Sequence, residues 1–208
     1  MTARREILVR LGKGRPEPLG LQPGSRHYPD LAAQFTVALE AVHGEVIRAA
    51  SQDDAVDKLR DLLTDLRAEY VVSHRMPLLE EVDLDLTFPD QTWTFPDETE
   101  DYRDRCARED VGITGAEYAL AETGTVVISS GDDKARATSL LPPVHIVLLA
   151  ETRILPSIFE WVKLRPDPMP ANLVLVSGPS KTADIEQTLI VGVHGPKRFI
   201  VVTYEENQ

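Results

Sequence analysis

The residues with the strongest claim to chemistry lie in the second half of the chain. Gly178-Pro179-Ser180-Lys181-Thr182 follows the apolar run 173–176 and precedes a segment, 182–190, whose pattern predicts a helix. At such a junction free backbone N–H groups and the helix dipole favour an anion, and Lys181 supplies a cation for a carboxylate or phosphate. The same residues suit a simple cap equally well, with Ser180 or Thr182 as the capping hydroxyl and Asp184 and Glu186 satisfying the dipole. Glu122-Thr123-Gly124-Thr125 is the second candidate: a carboxylate beside a glycine that lets a ligand, or another stretch of backbone, come close as a strand begins. Its bland reading is a carboxylate accepting backbone N–H groups in a tight turn. His194, between Gly192 and Gly195-Pro196, sits in a turn open to ligand contact, and Arg136 in a polar loop either pairs with an anion or is simply solvated. His145 interrupts an apolar strand and reads as a satisfied buried histidine rather than a ligand.

Other chemistries lack the residues they need. Asp83-Leu84-Asp85-Leu86-Thr87 has the spacing of an aspartate-nucleophile phosphatase, but 78–82 is a poor buried strand to carry it, and the segment reads as solvated and acidic. Cys106, the chain's 1 cysteine, forms no internal disulfide and cannot supply the thiolates of an iron–sulfur cluster or a structural zinc site. No GxGxxG, HExxH, CxxC or GxSxG occurs, so autonomous dinucleotide, metalloprotease or serine-hydrolase chemistry has no support.

The elements that must hold the candidates follow from periodicity. A short amphipathic helix is expected at 3–12 through Ile7, Leu8 and Leu11, then a Gly- and Pro-rich linker to Pro29, so that 1–29 precedes a single α/β domain at 30–208. Phe35, Leu39 and the alanines around them predict a helix ended by Gly44; 45–48 is a strand; Ser51 with Asp54 opens a helix through Leu59, Leu63 and Leu66; 70–72 is the next strand. The stretch after Glu81 reads as a long acidic loop before a polar helix at about 98–108. Runs at 111–113, 125–128, 145–149, 173–176 and 199–202 are near-continuously apolar and alternate with helical candidates at 157–164 and 182–190. Strands buried on both faces imply a three-layer α/β/α domain with a mainly parallel sheet.

Charge narrows the partners. The 208 residues carry 22 Lys and Arg against 34 Asp and Glu, a net charge of −12, which argues against nonspecific nucleic-acid binding. The acidity is local: 80–110 holds 12 acidic and 3 basic residues, whereas 1–15 holds 5 basic and 1 acidic. No apolar run reaches the roughly 18–20 residues needed to cross a bilayer, and the N-terminus lacks the pattern of a secretory signal, so the expected location is the cytoplasm.

Three ordered segments carry a resemblance. They are Gly115-Ala116-Glu117-Tyr118-Ala119-Leu120-Ala121-Glu122-Thr123-Gly124-Thr125, Ser139-Leu140-Leu141-Pro142-Pro143-Val144-His145-Ile146, and Ser177-Gly178-Pro179-Ser180-Lys181-Thr182-Ala183-Asp184-Ile185-Glu186 followed by Gly192-Val193-His194-Gly195-Pro196. In this order they resemble the LUD-domain family, and within it the lactate utilisation protein C (LutC/YkgG) group, over about 111–202. Glu117 stands where the pattern has Asp, which speaks against a role there that needs a short carboxylate. The resemblance implies a fold like that of ribose-5-phosphate isomerase and the coenzyme A transferases. It also implies a part in oxidising L-lactate to pyruvate beside partner proteins that carry iron–sulfur clusters, with no cofactor held by this chain. It raises Glu122 to candidate catalytic carboxylate, beside the candidate ligand-binding residues Thr123, Gly124, Thr125, Arg136, Gly178, Ser180, Lys181, Thr182 and His194. Of these, Glu122, Thr123, Gly124, Ser180, Lys181, Thr182 and His194 flank predicted strand ends and are expected in one cleft at the carboxyl edge of the sheet. The alternatives are a self-sufficient ligase, isomerase or acyl-transfer enzyme, as the relatives of that fold imply, and a non-catalytic scaffold.

Overall fold

The structure, a computed structural model, describes residues 27–206 apart from 132, 165, 167, 184–188 and 192–194. The helix expected at 3–12, most of the linker and His194 lie outside the described residues. The first described element, α1 (Leu31–Ala41), begins where the Asp30 carboxylate accepts from the Ala33 backbone N–H at 2.9 Å. It buries Ala32, Phe35 and Leu39, one stripe at helical spacing. Tyr28, at the end of the expected linker, packs on the same cluster. After β1 (Glu45–Ala49), α2 (Gln52–Leu66) starts at Ser51, whose hydroxyl accepts from Asp54 N as the Ser51/Asp54 spacing predicts, while the Asp54 carboxylate accepts from Ala50 N, one residue before the N-cap N–H that a full capping box would use.

Six strands form the main sheet: β1, β2 (Tyr70–Ser73), β3 (Thr92–Thr94), β4 (Val111–Gly115), β7 (Val144–Ala150) and β12 (Arg198–Tyr204). Their order is β1-β12-β7-β4-β2-β3, and every neighbouring pair is parallel. Alternate residues of one strand go to opposite faces. Ile146, Leu148, Ile200 and Val202 therefore meet Leu59 and Leu63 of α2, while Val147, Leu149, Phe199 and Val201 meet Phe35 and Leu39 of α1. Both faces are buried, the physical reason these runs are apolar without alternation.

The second face is shared between α1 and a smaller sheet of β5 (Tyr118–Leu120), β6 (Thr125–Ser130), β8 (Ile154–Leu155) and β9 (Asn172–Val176), ordered β8-β5-β6-β9. Val126 and Ile128 of β6 face the main sheet, whereas Val127 faces Trp161 of α3 (Ile158–Leu164), which covers the outside. The fold class is the α/β class expected, with one layer part helix and part sheet. The runs 125–128 and 173–176 are strands, but they pair antiparallel in this second sheet rather than joining the parallel one. Burial between two layers makes a strand apolar on both sides whatever its direction, so the sequence pattern does not separate the two cases.

Two further expectations are corrected. The described ends of the helix expected at 182–190 are strands instead: Lys181–Ala183 (β10) and Leu189–Val191 (β11) pair antiparallel, Thr182 opposite Ile190. β-branched residues at 182, 190 and 191 favour extended backbone over the helix that Asp184 and Glu186 suggested. The acidic stretch after Glu81 is also more ordered than a loop. It holds the helical turn Leu84–Thr87, the edge strand β3, the turn Pro96–Glu98 and the helix Tyr102–Cys106, shorter than the 98–108 expected. Asp83 caps the first of these by accepting from Leu86 N, so the phosphatase-like spacing is a helix cap.

Candidate functional site

At the carboxyl edge of the main sheet a cleft of about 400 Å³ opens beyond the ends of β2, β4, β7 and β12. Its walls are the residues that follow each strand: His74 and Arg75 after β2, Gly115 to Glu117 after β4, Arg153 on the short turn after β7, and Tyr204 at the end of β12. Ser129 reaches it from β6, and Lys134 from a loop pinned by mutual backbone bonds between Gly131 and Lys134. Open α/β sheets bind ligands at this edge because strand ends point loops and unpaired backbone groups into one crevice.

Glu117 organises the polar wall. Its Oε1 accepts from Ser129 Oγ and from Lys134 Nζ, the latter at 3.0 Å. Burial works to raise its pKa, but these two donors and the charges of Lys134 and Arg153 outweigh it and hold the carboxyl below the usual glutamate range. The group is thus ionised at neutral pH and neutralised locally by Lys134. Arg75 is likewise engaged: its Nε lies 3.0 Å from Asp97 and its Nη2 2.9 Å from Glu98, with the guanidinium over the Phe95 ring. Arg153 differs. Its Nη1 donates to the Glu117 carbonyl at 3.4 Å, and among the described residues it pairs with no carboxylate.

Histidines line and underlie the floor. His74 is buried and its Nε2 donates to the Ala135 carbonyl at 3.0 Å, leaving Nδ1 as the nitrogen with a lone pair; desolvation lowers its pKa, so it is neutral at pH 7. His145 is wholly buried, bonded through Nε2 to Thr114 Oγ1 at 2.9 Å, and burial with the nearby His74 pushes its pKa down to about 3. It belongs to the core, as its place within an apolar strand implied, but it is only half satisfied, since its buried Nδ1 has no hydrogen-bond partner among the described residues. Cys106 is buried too, and desolvation pushes its thiol up to about 11, which makes it unreactive at neutral pH.

The residues singled out from the motifs gather elsewhere. Glu122, Thr123 and Gly124 form the turn between β5 and β6, at the far end of that hairpin from Glu117 and Ser129; Glu122 N donates to the Pro156 carbonyl at 3.0 Å. Thr123 Oγ1 lies 2.6 Å from Thr125 Oγ1, which lies 2.7 Å from Ser177 Oγ, a chain of hydroxyls tying the hairpin to the end of β9. Gly178 approaches the Val42 carbonyl, and Lys181 Nζ donates to that same carbonyl at 2.8 Å and to His43 Nδ1 at 2.9 Å. Ser180 N donates to the Pro196 carbonyl just before β12. Thr182 sits on β10, and Arg136 is exposed at the start of the turn Ala137–Leu140. Six of these residues, Thr123, Gly124, Thr125, Gly178, Ser180 and Lys181, therefore do come together. They do so at the amino edge of the main sheet, around the end of α1, and not at the carboxyl edge where they were expected. With strand rather than helix at Lys181–Ala183, no helix N-terminus stands beside Ser180 among the described residues to attract an anion.

Arg153, Lys134, Ser129, His74 and Arg75 were missed by the sequence reading. The available signal was positional: each of His74, Arg75 and Arg153 follows within three residues of an apolar run that the pattern already identified as a buried strand.

An α/β domain with a polar cleft at its strand ends is a ligand-binding architecture, and the likenesses to known proteins give it a family. The LUD-domain model matches residues 32–204, and the chain belongs to that family. It is 29% identical to lactate utilization protein C of Halalkalibacterium halodurans, over 99% of this chain and 100% of that one. It is 33% identical to lactate utilization protein C 1 of Bacillus mycoides, over 95% and 94% respectively. A crystal structure of a DUF162 family protein from Deinococcus radiodurans superposes with a TM-score of 0.57 at 20% identity, covering 84% of this chain and 96% of that one, so the fold is shared.

Proposed function

We propose that this chain is a component of a cytoplasmic L-lactate utilisation system, contributing a small-anion site and a docking surface while iron–sulfur partner proteins carry the electrons from lactate to pyruvate. The observation that carries the reading is the likeness, along nearly their whole length, to two proteins named for lactate utilisation. The single buried, high-pKa cysteine is consistent with clusters held by partners. In this reading Arg153 receives the carboxylate of a small acid, because its guanidinium fork matches a carboxylate and no described acidic side chain already occupies it. The basic segment 1–15 and the acidic stretch 80–110 offer opposite charges for docking, an attraction that salt weakens.

Growth tests this directly. A strain lacking the gene is expected to grow on glucose but not on L-lactate as sole carbon source. The wild-type gene restores growth, and Arg153→Met, which keeps an unbranched apolar stem but removes the guanidinium and its charge, restores growth at a tenth of the wild-type rate or less with normal protein levels. Normal lactate growth of the deletion strain sinks the lactate role. Full rescue by Arg153→Met removes the anion site and leaves a scaffold.

A further inference from the structure

Two cavities meet at Arg153. Beside the polar cleft lies a second hollow of about 320 Å³, and the two share Glu117, Ser129 and Arg153 as their common rim. Beyond that rim the described residues that wall the second hollow are Tyr118, Trp161, Leu164, Leu173 and prolines, with no charged side chain among them. Arg153 lies 5.9 Å from the Tyr118 ring, so its cationic end stands where the polar and apolar compartments join.

A three-carbon acid uses one side of such a site only. Its carboxylate would occupy Arg153, and the apolar hollow would stay wet, although covering apolar wall is the main source of affinity in small-molecule sites. Together the cavities match the size range of sites that enclose much larger ligands. Rings suit the second hollow better than flexible chains, because Trp161, Tyr118 and the prolines present flat, rigid faces. We infer that the joined cavities bind an anion carrying a flat aromatic body, its phosphate or carboxylate on Arg153 and its ring against Trp161, Leu164 and Leu173. This rests on the reading of Arg153 as an anion receptor, and it assigns that site a ligand larger than lactate.

Gly115 provides a clean way to close the site. It lines the cleft, and a Cβ built on it meets nothing within 4 Å, so a side chain there projects into open space without displacing a neighbour. The test is calorimetric titration of the purified full chain with 5′-AMP, indole-3-acetate, adenosine, inorganic phosphate and L-lactate. At least one of the two aromatic anions is expected to bind ten-fold or more tightly than phosphate, adenosine or lactate, with 5′-AMP and indole-3-acetate distinguishing phosphate from carboxylate. Gly115→Leu should weaken that binding ten-fold or more without lowering the melting temperature. Leu164→Asn, a neutral change at a residue 53% exposed and therefore tolerant, should weaken it about five-fold by removing apolar wall, with affinity for the small anions changed less than two-fold. The inference fails if lactate binds as tightly as both aromatic anions, if neither aromatic anion binds, or if Leu164→Asn changes nothing. A deletion strain that grows on lactate, with aromatic-anion binding intact, would instead overturn the lactate role and leave this site standing.

Discussion

Gly124→Ala is expected to lower stability by roughly 3 kcal/mol and the melting temperature by about 6–12 °C for a domain of this size. Gly124 has φ +62°, and a Cβ added there falls 2.3 Å from the Leu39 backbone N and 2.5 Å from Leu39 Cα. Two costs add: about 1–2 kcal/mol for holding an L-residue in the left-handed region, and about 1–3 kcal/mol for forcing the hairpin turn off the helix it touches. The crowding atoms are backbone, so no rotamer change relieves them. Its missing side chain admits α1, one of the two possibilities that its place before a strand allowed. Gly115→Ala is the control, with open space around the new methyl and no loss of stability expected. Denaturant melts of both variants check the contrast; equal stability of Gly124→Ala and wild type would show that the turn relaxes freely and that the packing account is wrong.

The same distinction explains how much of the site was legible. Motif residues stand out in a sequence because they are unusual types at fixed spacing, but unusual types are required wherever two backbones must touch. Gly124 against Leu39 and Gly178 against Val42 are such contacts, and Lys181 caps the end of α1 through the Val42 carbonyl. These segments lock the small sheet and the β10–β11 pair onto α1. The polar cleft residues, by contrast, are ordinary types scattered along 52–206, and only the parallel topology brings them to one edge. Periodicity gave the apolar runs, the helix stripe of Phe35 and Leu39 and the Ser51 cap, since each is set by local burial or local bonding. It could not say that β6 and β9 leave the parallel sheet, because a strand pressed between two layers has the same composition either way. Nor did it find β3, a three-residue edge strand flanked by prolines whose pairing is with the distant β2.

Acid should destabilise this protein well before its carboxylates protonate, and His145 is the main reason. Its pKa of about 3 in the fold compares with about 6.5 in an unfolded chain. Between these values the unfolded state binds a proton that the folded state refuses, so stability falls as pH drops below about 6.5 and continues to fall toward pH 3. From pH 7 to pH 5 the expected loss is about 2 kcal/mol, and the buried His74, shifted in the same direction, adds to it. Glu117, Asp54 and Asp97 have depressed pKa values and contribute stability that is lost only at lower pH, as it falls through their own folded values. Glu109, raised by burial, works the other way, gaining stability as pH falls, so it opposes part of the loss rather than causing it. His145→Gln keeps an amide beside Thr114 Oγ1 but has nothing to protonate, and its urea midpoint should change by less than half as much as the wild type's between pH 7 and pH 5. The comparison is made on slopes rather than on absolute stability, since the substitution also alters packing against Phe199, whose ring centroid lies 5.2 Å from that of His145. An unchanged slope in His145→Gln would assign the acid sensitivity to His74 or to carboxylates and remove His145 from the account.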